Sequence, residues 1–165
     1  MKKIASLLIV VGVLLISSVC FASISVDRIA LGGISIDSSL KYVKSIYGTP
    51  IHINTYNNGQ RWELKYGDGF LVQASSRSGE NYEKGTYYVD QVVVNKDNGI
   101  ATPDGVRVGM KESVIESTYG EPFSVHQRDG LSFYWYFDDS GKDKLLEFGV
   151  LDGVIRSMRC VQADD

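Results

Sequence analysis

Two stretches of the chain carry the same pattern of apolar and polar positions. Residues 43–50 and 115–122 both place apolar side chains at helical spacing and then end on Tyr-Gly-x-Pro. A glycine adopts the left-handed conformation that ends many helices, and a proline after it prevents the helix from continuing. The pattern therefore predicts two short amphipathic helices within an internal repeat.

Alternation of apolar and polar residues marks the predicted strands. Residues 61–66 alternate strictly, which predicts a half-buried strand with Trp62, Leu64 and Tyr66 facing inward. The other predicted strands lie at 70–74, 87–95, 133–137, 145–150 and 154–161. Each predicted helix is thus followed by about three strands.

The two copies differ in length after the helices. A spacing of 72 residues relates them up to the helix-ending prolines. Beyond that point, aligning the turn glycines Gly59 and Gly130 requires the second copy to be one residue shorter than the first. Trp62 then corresponds to Phe133, which predicts that Phe133, Trp135 and Phe137 face the core.

These elements predict a fold class and a domain organisation. The fold class is α+β, with two tandem repeats that each consist of a short helical segment and a small antiparallel sheet of about three to four strands. The segments are a signal peptide at 1–22, repeat module 1 at 23–95, a linker at 96–105 and repeat module 2 at 106–165. Modules of about 60 to 70 residues are marginal alone, so we expect the two to pack together.

The first 22 residues have the composition of a secretory signal. Lys2 and Lys3 precede an apolar run at 4–16, and the small residues Cys20 and Ala22 precede the expected cleavage point. This run is too short for a transmembrane helix, which needs about 20 apolar residues. The sequence therefore predicts an exported protein, periplasmic or extracellular, without a transmembrane anchor after cleavage.

Charge and cysteine content exclude some classes of function. The formal net charge is −3, and removing Lys2 and Lys3 makes it −5. A mildly acidic protein lacks the basic surface that nucleic-acid binding requires, so no nucleic-acid partner is expected. Cys160 remains as the single cysteine of the mature chain, which predicts no internal disulfide.

No catalytic, metal or cofactor motif stands out in the sequence. His52 and His126 have no ligand-type residues at metal-binding spacing, and the Asp138–Asp139–Asp143 group lacks the order of a calcium loop. We therefore expect a protein that is not an enzyme and has no cofactor. The alternative is an exported hydrolase or cell-wall-active enzyme with a site assembled from scattered carboxylates, which would need a pocket of convergent ionisable groups.

The candidate binding residues are aromatic and polar. Tyr134 and Tyr136 alternate with the residues expected to face the core, so they either pack against the other copy or form an exposed surface. The polar connection before the strand at 87–95 contains Arg77, Glu80 and Tyr82, which suit contact better than packing. We predict that these five residues form a binding region for a protein partner of unknown identity.

Short motifs in both copies resemble a known module. In the second copy they are Val108, Gly109, Met110, Val114, Gly120, Pro122, Trp135 and Tyr136. In the first copy they are Ile36, Val43, Gly48, Pro50, Trp62 and Leu64. These residues resemble the SmpA/OmlA (BamE-like) module, and two such modules in tandem are similar to the β-lactamase inhibitor protein (BLIP-like) fold. The resemblance implies an α+β bacterial module that acts by protein–protein contact in the cell envelope or outside the cell.

Overall fold

The computed structural model describes residues 23–76, 87–141 and 143–163, so the predicted signal peptide lies outside the described residues. The two helices are α1 (Leu40–Tyr47) and α2 (Ser113–Tyr119). The first strands are β1 (Ala30–Leu31), β2 (Ile34–Ser35), β3 (His52–Tyr56), β4 (Arg61–Lys65), β5 (Phe70–Ser76) and β6 (Tyr87–Val94). The remaining strands are β7 (Ser124–Arg128), β8 (Leu131–Phe137), β9 (Lys144–Leu151) and β10 (Val154–Gln162).

Eight of these strands form one antiparallel sheet in the order β3-β4-β5-β6-β10-β9-β8-β7. Strands β6 and β10 pair at its centre, with Val94 opposite Met158 and Val92 opposite Cys160. All four side chains are fully buried. The short strands β1 and β2 form a separate hairpin.

The prediction of an α+β fold with two helix-plus-sheet repeats is wrong. The described chain is mostly β, and its main strands belong to one continuous sheet. Two separate sheets would leave β6 and β10 as edge strands with unpaired backbone groups, and their pairing removes both edges. Alternation within a strand indicates which face is buried but not which strand lies beside it, so the sequence pattern did not reveal this joining.

Both helices are short and depend on packing. The Ser39 hydroxyl accepts a hydrogen bond from the Tyr42 amide at the start of α1. Both helices end at a glycine with positive φ, Gly48 at 72° and Gly120 at 79°. Isolated helices of this length are unstable in water, so burial of their apolar sides stabilises them. In the part of the chain that the structure describes, no helix is long and apolar enough to cross a membrane.

The sheet has two unlike faces. We call the face that packs against both helices the covered face, and Leu64, Val72, Val92, Met158, Leu146 and Phe148 lie on it, all fully buried. We call the opposite one the open face. Strand pairing places Leu71, Val93, Arg159, Glu147 and Trp135 side by side across it. A one-sided core of this kind is common in antiparallel sheets.

The hairpin that contains β8 has a different length from the one predicted. Four residues, 57–60, connect β3 to β4, whereas Asp129 and Gly130 alone connect β7 to β8. The second hairpin is therefore two residues shorter than the first, rather than one. An error of one residue moves every side chain of a strand to the other face of the sheet.

Consequently, the prediction that Phe133, Trp135 and Phe137 face the core is wrong. Tyr134 pairs with Phe148 and Tyr136 with Leu146, both on the covered face, so the residues between them point to the open face. Trp62 does lie on the covered face, where its ring centroid is 5.3 Å from that of Tyr87.

A continuous sheet predicts that both halves unfold together. Trp62→Phe leaves Trp135 as the only tryptophan, and Trp135→Phe leaves Trp62, so each variant reports on one half. We expect the fluorescence and far-UV circular dichroism transitions in urea to coincide within each variant, because pairing of β6 with β10 couples the halves. A fluorescence transition that separates from the dichroism transition in either variant would indicate independent modules.

Candidate binding surface

Four partly exposed aromatic rings lie together at the β8 end of the open face. They are Phe123, Phe133, Trp135 and Phe137, which we call the aromatic patch. The centroids of Phe123 and Phe137 are 4.9 Å apart and those of Trp135 and Phe137 are 6.2 Å apart, both with rings nearly perpendicular. Edge-to-face contacts of this kind are favourable, so Phe123, Trp135 and Phe137 form one cluster, and Phe133 lies beside it on the same face of β8.

Basic and imidazole side chains of the edge strand β7 border the aromatic patch. The His126 ring centroid lies 4.2 Å from that of Trp135, and the Arg128 guanidinium lies 4.7 Å from the centre of the Phe133 ring. Both His126 and Arg128 are exposed. The patch thus combines apolar area with the positive charge of Arg128 at its border.

A buried carboxylate holds the central ring of the patch. The Trp135 indole N–H donates to Glu147 Oε2 over 2.8 Å, and the Arg159 guanidinium donates to the same oxygen over 3.1 Å. Glu147 is only 6% exposed, and charge-assisted bonds offset the cost of burying it. These bonds fix the orientation of the Trp135 ring on the surface.

The other end of the open face is polar. Arg61 donates to Gln73 over 2.8 Å, and Gln73 in turn donates to Glu63 over 3.1 Å. Asn54 donates to the second oxygen of Glu63 over 3.1 Å. This network covers β3, β4 and β5, so the apolar surface of the open face is concentrated on the β8 side.

Two of the five residues that the sequence grouped as a binding region, Tyr134 and Tyr136, lie among the described residues. Tyr134 and Tyr136 lie on the covered face beneath α2, and Tyr136 is fully buried with its hydroxyl donating to the Gly120 carbonyl over 2.9 Å. The Tyr134 hydroxyl bonds to the Glu112 carboxylate. Burial and this neighbouring carboxylate raise the pKa of Tyr134 to about 12. Helix α2 therefore packs over the face of β8 that carries Tyr134 and Tyr136. Tyr136 is not accessible to a partner.

The other three predicted residues, Arg77, Glu80 and Tyr82, lie outside the described residues. Sequence reasoning missed the aromatic patch because it assigned three of its four rings to the core. The available signal was that β8 is apolar or aromatic at nearly every position, which requires one of its two apolar faces to lie away from the helices.

Groups suited to catalysis or metal binding are dispersed. His52 and His126 are exposed and bond to Asn54 and Ser124 respectively. Cys160 is buried, which raises the pKa of its thiol. Within residues 23–76, 87–141 and 143–163, no three His, Cys, Asp or Glu side chains group in a way that could hold a metal ion.

A pocket of about 520 Å³ collects several carboxylates at one end of the sheet. Its acidic and basic lining residues are Asp37, Asp90, Asp138, Asp143 and Lys144. Lys144 and Asp37 form an ion pair of 2.9 Å, and the Ser75 hydroxyl bonds to Asp90. Asp138 also accepts hydrogen bonds, which are described below. Three of the four carboxylates therefore have partners within the protein.

Asp138 is buried and serves the turn between β8 and β9. It accepts hydrogen bonds from the Ser140 hydroxyl and, over 3.1 Å, from the Lys144 amide. Burial alone raises the pKa of the Asp138 carboxyl, but these hydrogen bonds outweigh burial and hold that pKa below its usual range.

The lowered pKa of Asp138 predicts how its contribution to stability depends on pH. A carboxyl whose pKa is lower in the folded state than in the unfolded state stabilises the fold at pH values above its unfolded pKa of about 3.9. This stabilisation is lost as the pH falls through its folded-state pKa. We expect Asp138→Asn to lower the free energy of unfolding by about 1–3 kcal/mol at pH 7.

Urea denaturation at several pH values tests this expectation, with the exposed neighbour changed in Asp139→Asn as the matched control. The stability difference between wild type and Asp138→Asn should shrink below about pH 4. A difference that stays constant from pH 7 to pH 3 would contradict an ionised, hydrogen-bonded Asp138.

Comparison with known proteins identifies no family. No protein-family model and no curated protein matches the sequence. One similar solved structure is a DUF4309 family protein (YjgB) from Bacillus subtilis, with 15% identity and a TM-score of 0.46 over 79% of this chain and 83% of that chain. Another is a cysteine-rich secretory protein from Staphylococcus aureus, with 11% identity and a TM-score of 0.47 over 77% of this chain and 44% of that chain. Likeness at this level says nothing about function, and the resemblance to SmpA/OmlA modules stays a prediction.

Proposed function

We propose that this protein is an exported, non-enzymatic binding module of the cell envelope or extracellular space, and that its open sheet face contacts a protein partner. The observation that carries the proposal is the aromatic patch, four partly exposed rings on the face that the helices leave uncovered. Of these, Phe123, Trp135 and Phe137 are in edge-to-face contact. Aromatic side chains dominate the binding energy of protein interfaces. Export is supported by the basic, apolar and small residues at the start of the sequence.

Charge at the border of the patch favours a partner of complementary chemistry. Arg128 is exposed at its edge, and Arg159 is partly exposed beside Glu147. A partner surface that presents apolar side chains flanked by carboxylates would therefore match it.

The pocket that contains Asp138 is the observation in favour of the alternative, a hydrolase that uses scattered carboxylates. A general acid at neutral pH needs a raised pKa, so that the carboxyl keeps its proton. The hydrogen bonds to Asp138 lower its pKa instead, and Asp37 is paired with Lys144. These contacts support a structural role for the pocket.

Site-specific photo-crosslinking in the producing cells tests the proposed surface. We expect p-benzoyl-phenylalanine at Phe137 to form a discrete adduct with one partner protein, because this ring lies in the patch. The same group at Tyr42, which is 46% exposed on α1, is the control and should form none.

The partner identified from the adduct then allows a quantitative test. Phe133→Ser should weaken binding by about 30-fold, as truncation of an aromatic hot-spot residue of an interface does. Tyr42→Ser should change the Kd by less than about twofold, since it lies outside the patch. Equal adducts at Phe137 and Tyr42, or an unchanged Kd for folded Phe133→Ser, would contradict binding through the open face.

A further inference from the structure

Strand β3 forms the edge of the sheet at the end opposite the aromatic patch. Among the described strands it pairs with β4 alone. Its pairing with β4 runs without a bulge, and residues 52–56 include no proline, lysine, arginine or carboxylate. Proteins usually protect an exposed edge with one of these features, so β3 is open to pairing with a further strand.

Two residues of β3 direct their backbone groups away from the sheet. The Ile51 amide donates to the Lys65 carbonyl over 2.8 Å, so the backbone groups of Lys65 point towards β3. The register places His52 opposite Lys65, and the direction of the backbone groups alternates along an antiparallel strand. His52 and every second residue after it therefore bond to β4, whereas Ile53 and Thr55 present their amide and carbonyl groups at the edge.

Apolar side chains lie beside these groups on the covered face. Ile53 is opposite Leu64 and thus lies on that face, where it is 42% exposed. Ile51 is 73% exposed, the highest value among the large apolar residues of the described chain. Trp62, which is opposite Thr55, is half-buried. A strand added to β3 would cover this apolar surface if it carried apolar side chains at alternate positions.

A lysine of α1 adds a positive charge on the same face. The Lys44 ammonium lies 5.9 Å from the centre of the Trp62 ring, and Lys44 is exposed and forms no ion pair with a described residue. A carboxylate on an added strand would complement this charge. Tyr42 lies on the opposite flank of α1, with its hydroxyl donating to the Gly33 carbonyl over 3.4 Å, so it is outside this edge.

We propose that the edge of β3 binds an extended segment of another protein as a ninth strand of the main sheet. The segment pairs with the backbone groups of Ile53 and Thr55, places apolar side chains at alternate positions against Ile53 and Trp62, and carries a carboxylate that pairs with Lys44. This site goes beyond the proposed function, because it shares no residue with the aromatic patch and lies at the other end of the sheet.

Titration of the full mature protein with synthetic peptides tests the proposal. The probe is the acetylated and amidated peptide Ser-Val-Thr-Val-Thr-Glu-Ser, which places both valines and the glutamate on one face when extended. We expect it to shift the amide NMR signals of Ile53 and Thr55 and to leave those of Val125 and Gln127, on the other edge strand, unchanged. The same peptide with lysine in place of glutamate should bind about threefold more weakly.

Two N-methylated forms of the probe test the backbone hydrogen bonds on the unchanged protein. One form carries methyl groups on the amides of both valines and the other on the amides of both threonines, so only one form keeps free amides towards β3. We expect that form to bind at least about tenfold more tightly than the other. Loss of binding by the valine form indicates antiparallel pairing, and loss by the threonine form indicates parallel pairing.

A proline variant tests the same edge from the side of the protein. Thr55→Pro removes an outward amide and no bond to β4, and proline is tolerated at such edge positions. It should bind the probe at least about tenfold more weakly. Gln127→Pro is the matched control, because Gln127 is also the fourth residue of an edge strand and also directs its amide outward. It should bind like the wild type, and far-UV circular dichroism checks that both variants are folded.

Three results would overturn the proposal. They are an absence of shifts at Ile53 and Thr55 with millimolar probe, equal binding of the two N-methylated forms, and an unchanged affinity of folded Thr55→Pro. Sedimentation of the free protein examines the other occupant of such an edge. A dimer that Thr55→Pro disrupts and Gln127→Pro does not would assign the edge to a second copy of this chain and would also overturn the proposal. None of these results bears on the aromatic patch.

Discussion

Pairing of β6 with β10 is the constraint on which the rest of the structure depends. Each half of the sheet is built outward from one of these strands, and their contact closes what would otherwise be two exposed edges. Val92, Val94, Met158 and Cys160 lie at this junction and are fully buried. The junction therefore aligns the covered faces of both halves into one core.

Within the described residues, two short helices and the β1–β2 hairpin cover only one face of the sheet. The helices and the β1–β2 hairpin pack on the covered face, where Tyr119, Tyr136 and Phe148 are in ring contact. The open face keeps its polar network at one end and its aromatic patch at the other. Placement of the patch thus follows from the topology, since β8 contributes large side chains to both faces and α2 covers only one.

Parts of this arrangement could be predicted from the sequence and parts could not. Both helix ends follow from the Tyr-Gly-x-Pro segments, because a glycine with positive φ and a proline act locally. The edge strands β3 and β7 were missed, since their mostly exposed residues lack an apolar alternation. The facing of β8 was inverted because a strand that is apolar on both sides gives no signal of its own, and the assumed turn length was wrong by one residue.

Thiol labelling along β8 tests the central claim, that Trp135 and Phe137 face outward while Tyr136 faces the core. Trp135→Cys, Tyr136→Cys and Phe137→Cys are compared in the folded mature protein, with dichroism confirming that each is folded. Cys160 stays silent because it is buried and its thiol pKa is raised. We predict rapid native-state labelling at positions 135 and 137 and labelling at 136 that is at least about tenfold slower, because it requires local unfolding. Labelling at position 136 as fast as at its two neighbours would contradict the assignment of the open face.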